Sequence, residues 1–145
     1  MFRTVFDIAA SAMSANRVRI NTIASNIANA QTTRTEEGGP YKRRDVVFAA
    51  TDVEKVGFDN ALDEATLKSV RVAAVKTDDQ EPMNIYDPGH PDADPETGIV
   101  AMPNINPVTE MVNMITASAA YKAAAEVVSV TKDMAQTIRT MAQRL

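Results

Sequence analysis

Glycine and proline are confined to the middle of this chain, and that confinement limits what its ends can become. All 5 Gly and all 7 Pro lie between Gly38 and Pro107. Residues 1–37 and 108–145 contain neither, so nothing in their backbone chemistry interrupts a helix. Charge follows the same partition. Residues 1–34 carry four Arg and one Asp; residues 35–107 carry seven Lys or Arg against fifteen acids; residues 108–145 carry four bases and three acids. Two weakly basic, helix-permissive ends flank an acidic, turn-rich centre. The expected fold class is α+β, with long N- and C-terminal helices packing as a coiled-coil-like pair or bundle and a small β-rich insert between them. The expected parts are 1–34, 35–107 and 108–145.

Each end carries an apolar stripe at helical spacing. Phe2, Phe6, Ala9, Met13, Asn16, Ile20, Ile23, Ile27 and Ala30 alternate steps of four and three, with Asn16 the one polar member. That is the pattern of a coiled-coil seam in which a single Asn fixes register at some cost in stability. It equally suits an amphipathic helix lying on its own domain with Asn16 bonded locally. At the other end Val108, Val112, Ile115, Ala119, Ala123, Val127, Val130, Met134, Ile138, Met141 and Leu145 recur close to every 3.6 residues. Pro107 suits the first helical position, where its missing N–H costs nothing. At ~1.5 Å per residue the helices would reach roughly 40 and 55 Å, whereas 145 residues make a globule of radius about 15 Å. Long helices on a small insert must find apolar contacts elsewhere, and this points to assembly.

The centre reads as short strands and turns. Asp45–Ala49 and Lys68–Lys76 have strand character, and Met83–Tyr86 can pair with 98–102 around the loop between them. Residues 51–66 are ambiguous.

Composition excludes much chemistry. There is no Cys, so disulfides, thiolate metal sites and a Cys nucleophile are absent. The net charge of −4 argues against nucleic acid, whose phosphates call for a basic face. Ala10-Ser11-Ala12 fits a signal-peptidase pattern, but Asp7 interrupts the apolar region before it, so no cleaved signal is expected. The densest donor cluster is Asp87, His90, Asp92, Asp94 and Glu96. An EF-hand beginning at Asp92 needs Gly and an acid at its sixth and twelfth positions, which here are Thr97 and Pro103. A zinc site would need further His or Cys. The favoured reading is a Pro-stiffened loop whose carboxylates close Asx turns. Lys42-Arg43-Arg44 is expected to be a solvated strand end or an ion-pairing patch. No metal, cofactor, small-molecule substrate or catalytic residue is expected.

The segment SAMSANRVRINTIASNIANAQTT resembles the N-terminal signature of the flagellar axial rod and hook proteins. GGPYKRRDVVF, YDPGHPDADPETG and PNINPVTEMVNMITASAAYKAAAEVVSVTKDM are similar to the proximal-rod branch of that family. The resemblance implies a structural subunit of the basal-body rod, polymerising through its terminal helices into the drive shaft that spans the periplasm. It implies export through the flagellar type III apparatus without a cleaved signal. The implied partners are other copies, other rod proteins and the membrane-ring adaptor. On this resemblance Asn16, Arg19, Asn21, Asn26, Ile27, Asn29 and Ala30 belong to the N-terminal assembly interface. Asn104, Asn106, Glu110, Met111, Ile115, Ala117, Ser118, Tyr121 and Glu126 belong to the C-terminal one. The apolar stripes add Ile20, Ile23, Val127, Val130, Met134 and Ile138. Departures from the family pattern are Ala119 and Ala124, where an Arg and an Asn are usual, and Ile99, where an aromatic commonly follows the loop Gly. The alternative is a soluble coiled-coil adaptor or type III export substrate outside the rod.

Overall fold

The computed structural model describes residues 2–52 and 67–143. Helix α1 spans Phe2–Ala28 and helix α2 spans Pro107–Ala142, 27 and 36 residues long. Between them lie strands β1 (Arg44–Asp52), β2 (Lys68–Thr77), β3 (Met83–Tyr86) and β4 (Ile99–Met102). The architecture is α+β, with long helices at both ends and a small β-rich centre, as expected. Most of the ambiguous stretch, residues 53–66, falls outside the described residues.

The two ribbons are separate antiparallel pairs. β1 pairs with β2 from Arg44↔Thr77 to Asp52↔Lys68, with a register shift between Val47 and Phe48 that leaves Ala73 as the extra residue. β3 pairs with β4 from Met83↔Met102 to Tyr86↔Ile99. The loop joining β3 to β4 is closed by its own carboxylates. Asp87 Oδ1 accepts from Gly89 N–H, and Asp94 Oδ1 accepts from the N–H groups of Glu96 and Thr97. These are the expected Asx turns. Thr33 donates to Asp92 at 2.7 Å, fastening this loop to the segment that leaves α1. Gly98 has φ +66° and a Cβ there would lie 3.0 Å from the Tyr86 ring, so the loop needs Gly at its exit.

α2 begins on a built cap. Asn106 Oδ1 accepts from Val108 and Thr109 N–H, Pro107 follows it, and Glu110 sits in the first turn. α1 packs along α2 and also against β1 and β2. The end of α1 meets the start of α2, so the two helices run antiparallel. The core is thin: among the described residues Ala9, Ala15 and Ile23 from α1, Ala117 from α2, and Val100, Pro103 and Ile105 from the centre are its buried apolar residues.

The two stripes behave oppositely. In α1, Ala9 and Ile23 are buried and Phe6, Met13, Asn16, Ile20 and Ile27 are half-buried, so this stripe faces α2 and the β1–β2 ribbon. The expectation that this helix must find its apolar contacts outside the chain is narrowed accordingly: its own neighbours cover Ala9 and Ile23 and part of the others. In α2 the stripe faces outward. Val108, Val112, Ile115, Val127, Val130, Met134, Ile138 and Met141 are all exposed, while the opposite face, through Ala117, Tyr121, Ala124, Val128 and Thr131, lies inward. Small side chains on that inner face let the helix axes approach closely.

Candidate assembly interface

The junction of the two helices is held by one buried polar knot. Glu110 and Asn26 are fully enclosed. Asn26 Nδ2 donates to Glu110 Oε2 at 3.0 Å and to the Arg44 carbonyl at 2.7 Å. Asn26 Oδ1 accepts from Arg44 N–H and from the Tyr41 hydroxyl. One amide therefore reads both backbone groups of Arg44 and ties the start of β1 to the end of α1. Arg43 donates from Nε to Glu110 Oε1 at 3.0 Å and pairs with the same oxygen through Nη2, with Asp45 close to its other nitrogen. Burial alone would lower the Arg43 pKa, but the hydrogen bond and charge of Glu110, helped by Asp45, outweigh it and hold the pKa above its ordinary value. Asn113 adds a fourth donor to the Glu110 carboxylate at 3.3 Å. Four donors thus converge on this enclosed carboxylate, three on Oε1 and one on Oε2, which offsets the cost of burying it.

The basic cluster is thereby accounted for. Arg43 is in the knot, Lys42 pairs with Asp79 at 3.7 Å, and Arg44 lies 5.8 Å over the Tyr41 ring. The ribbon is held to α1 by smaller devices. Ser11 Oγ accepts from Val70 N–H, and the Arg19 guanidinium sits 5.9 Å above the Phe48 ring.

The residues expected at an assembly interface divide into three groups. Ile23, Asn26, Glu110 and Ala117 are buried within the chain. In this conformation their surface is taken up within the chain. Asn16, Arg19, Ile20, Ile27, Asn29, Ala30, Ser118 and Tyr121 are half-buried. Asn16 donates to the Ala12 carbonyl of its own helix at 2.9 Å, and Asn29 does the same to Ser25. Asn21, Asn104, Asn106, Met111, Ile115, Glu126, Val127, Val130, Met134 and Ile138 are exposed. Within that group Asn106 is the α2 cap and Asn104 donates to Gln80 and the Glu81 carbonyl. Tyr41 and Arg43 belong to the knot and were not among the expected residues; an unpaired-looking Arg beside an enclosed Glu 67 positions away leaves no periodic trace.

The exposed apolar members all lie on α2. Val108, Met111, Val112 and Ile115 form one patch, Val127, Val130, Met134, Ile138 and Met141 a second, and Ala119 and Ala123 a saddle between them. Thr131 is the last buried residue along α2 and Ala135 the last half-buried one among the described residues, so the final turns are exposed. Together these nine large side chains present on the order of 800 Å², about one partner's share of a standard protein interface. A monomer's largest apolar patch is usually about 300–600 Å². Among the described residues no helix is long and apolar enough to cross a membrane.

Comparison with known proteins agrees with this geometry. Residues 6–34 match the family model described as flagella basal body rod protein, and residues 96–141 match that of the flagellar basal body rod FlgEFG protein C-terminal region. These stretches contain most of α1, and β4 with nearly all of α2. The flagellar basal-body rod protein FlgC of Borreliella burgdorferi is 40% identical over 136 residues, covering 88% of this chain and 89% of that protein. Its namesake in Escherichia coli is 39% identical over 139 residues, and that of Salmonella typhimurium 40%, each covering 96% of both chains. The chain belongs to the FlgC family of flagellar basal-body rod proteins.

Proposed function

We propose that this chain, a structural subunit of the bacterial flagellar basal-body rod, polymerises through the outward stripe of α2, which neighbouring copies and related rod proteins cover. The observation that carries this reading is the orientation of that stripe: eight of its large apolar members are exposed, while the opposite face of α2 lies inward. At ~25 cal/mol per Å², covering a stripe of this size contributes about 20 kcal/mol before the costs of association. The knot of Asn26, Arg43 and Glu110 serves the same end indirectly. It holds the helix pair against the centre at one angle, so that every copy offers the same surface and a helical array can repeat.

On this reading residues 1–34 and 108–145 form the inner tube and 35–107 sits further out, in the proximal part of a shaft that spans the periplasm. Further partners are the membrane-ring adaptor and the type III export apparatus, which the chain enters without a cleaved signal. Its role is mechanical rather than catalytic. Electron microscopy of basal bodies from a deletion strain, complemented with the wild type or with Val130→Asp, tests the proposal. Rods restored by the first and missing with the second are expected; complete rods with both would contradict it.

A further inference from the structure

Resting on that reading, the structure assigns an oxidation-sensitive modification site to the outward apolar surface of α2: Met111, Met134 and Met141, whose conversion to sulfoxides blocks association with a second copy. These three are 55%, 55% and 63% exposed; Met134 and Met141 lie on the stripe, and Met111 lies beside it in the patch with Val108, Val112 and Ile115. Met114, one turn from Met111 on the same helix, is half-buried, as are Met13 and Met102. The chain thus carries its own controls. Met83 is also exposed, but it lies on β3, away from the stripe.

The reaction needs a peroxide. The thioether sulfur attacks one peroxide oxygen, the O–O bond breaks, an S–O bond forms, and the peroxide is reduced to water while sulfur loses two electrons. An apolar, adaptable side chain becomes a polar one with a strong acceptor oxygen. In water that costs the isolated chain little, since all three side chains are more than half exposed. Buried against the apolar surface of a second copy, each sulfoxide oxygen would lack a donor. Oxidation therefore spares the fold and opposes assembly. A rod already assembled would shield the same three groups from the oxidant.

The test treats the dilute purified chain with hydrogen peroxide, maps sulfoxides by peptide mass spectrometry, and follows self-association by sedimentation as concentration rises. Met111, Met134 and Met141 should oxidise ahead of Met13, Met102 and Met114, and association should weaken about tenfold or more. A variant combining Met111→Leu, Met134→Leu and Met141→Leu should associate equally before and after treatment, with circular dichroism reporting its fold. Unchanged association of wild type bearing sulfoxides at all three positions would overturn the inference, as would equal loss in the Leu variant. An untreated chain that never associates would instead overturn the proposed assembly surface, and this inference with it.

Discussion

The side chain of Asn26 donates to Oε2 of Glu110 at 3.0 Å, joining the last turns of α1 to the first turn of α2 across 84 positions of sequence. Both residues are enclosed, and Arg43 supplies the compensating charge. Pairs of this kind contribute modestly in net terms, because desolvation offsets attraction, but removing one partner leaves the other buried and unmatched. Arg43→Ala should therefore destabilise the chain by about 3 kcal/mol, and Glu110→Gln by less, since an amide still fills the site. Urea denaturation followed by circular dichroism measures both. Equal, negligible effects would show that the knot is solvated.

Asn26 tests a different feature of the same junction, its reading of the Arg44 backbone. Asn26→Ala deletes four hydrogen bonds and leaves the Arg44 N–H and carbonyl to be satisfied otherwise. A loss of about 2–3 kcal/mol is expected. Asn26→Asp should cost more, because it sets a second carboxylate against Glu110 and removes the donor to the Arg44 carbonyl. The order Asp below Ala below Asn in denaturation midpoint is the expected result.

Two glycines of the β3–β4 loop separate backbone need from mere presence. Gly98 combines φ +66° with a Cβ position 3.0 Å from Tyr86 Cε2 and 3.2 Å from Pro88 Cβ. Gly89 would meet only Asp87 Oδ1, at an ordinary 3.6 Å. Gly98→Ala should destabilise the ribbon by about 1–2 kcal/mol, whereas Gly89→Ala should be neutral within about 0.5 kcal/mol. Amide exchange at Met83–Tyr86 reports the difference directly.

The two faces of α2 predict opposite phenotypes. Ala117 has no exposed surface, so Ala117→Leu should overpack the contact with α1 and cost about 1–3 kcal/mol. Val130→Asp lies on the open stripe and should leave stability within about 0.5 kcal/mol while abolishing swimming of a complemented deletion strain. Thermal melts and motility agar distinguish them. A destabilised Val130→Asp would mean that the stripe is covered by the chain itself.

Much of the fold was legible in the sequence because it rests on local signals. Gly and Pro placement marked the ends as helical, Pro107 marked the start of α2, and short runs of strand character marked β1 to β4. What covers a stripe is not local information. The stripes through Ile23 and Val130 have the same helical character, yet Ile23 is buried and Val130 is 48% exposed. Spacing shows that a face exists; only the tertiary partner decides which way it turns. The knot was hidden for a related reason. Asn26 and Glu110 carry the chemistry of surface residues, and their burial follows from Tyr41, Arg43 and Arg44 arriving from a third segment. Family resemblance placed Asn26 and Glu110 among important positions, but not their partners or their inward direction.

The absence of Cys from the whole chain permits a single thiol to report on the stripe without background. Ile115→Cys and Ile138→Cys place that thiol at positions 68% and 53% exposed. The decisive measurement is maleimide labelling of each variant, as dilute purified chain and within isolated basal bodies. Rapid labelling in the dilute chain and strong protection in the basal body is the predicted result. Equally rapid labelling of both variants in both states would contradict the account, because the outward stripe of α2 would then remain open in the assembled rod.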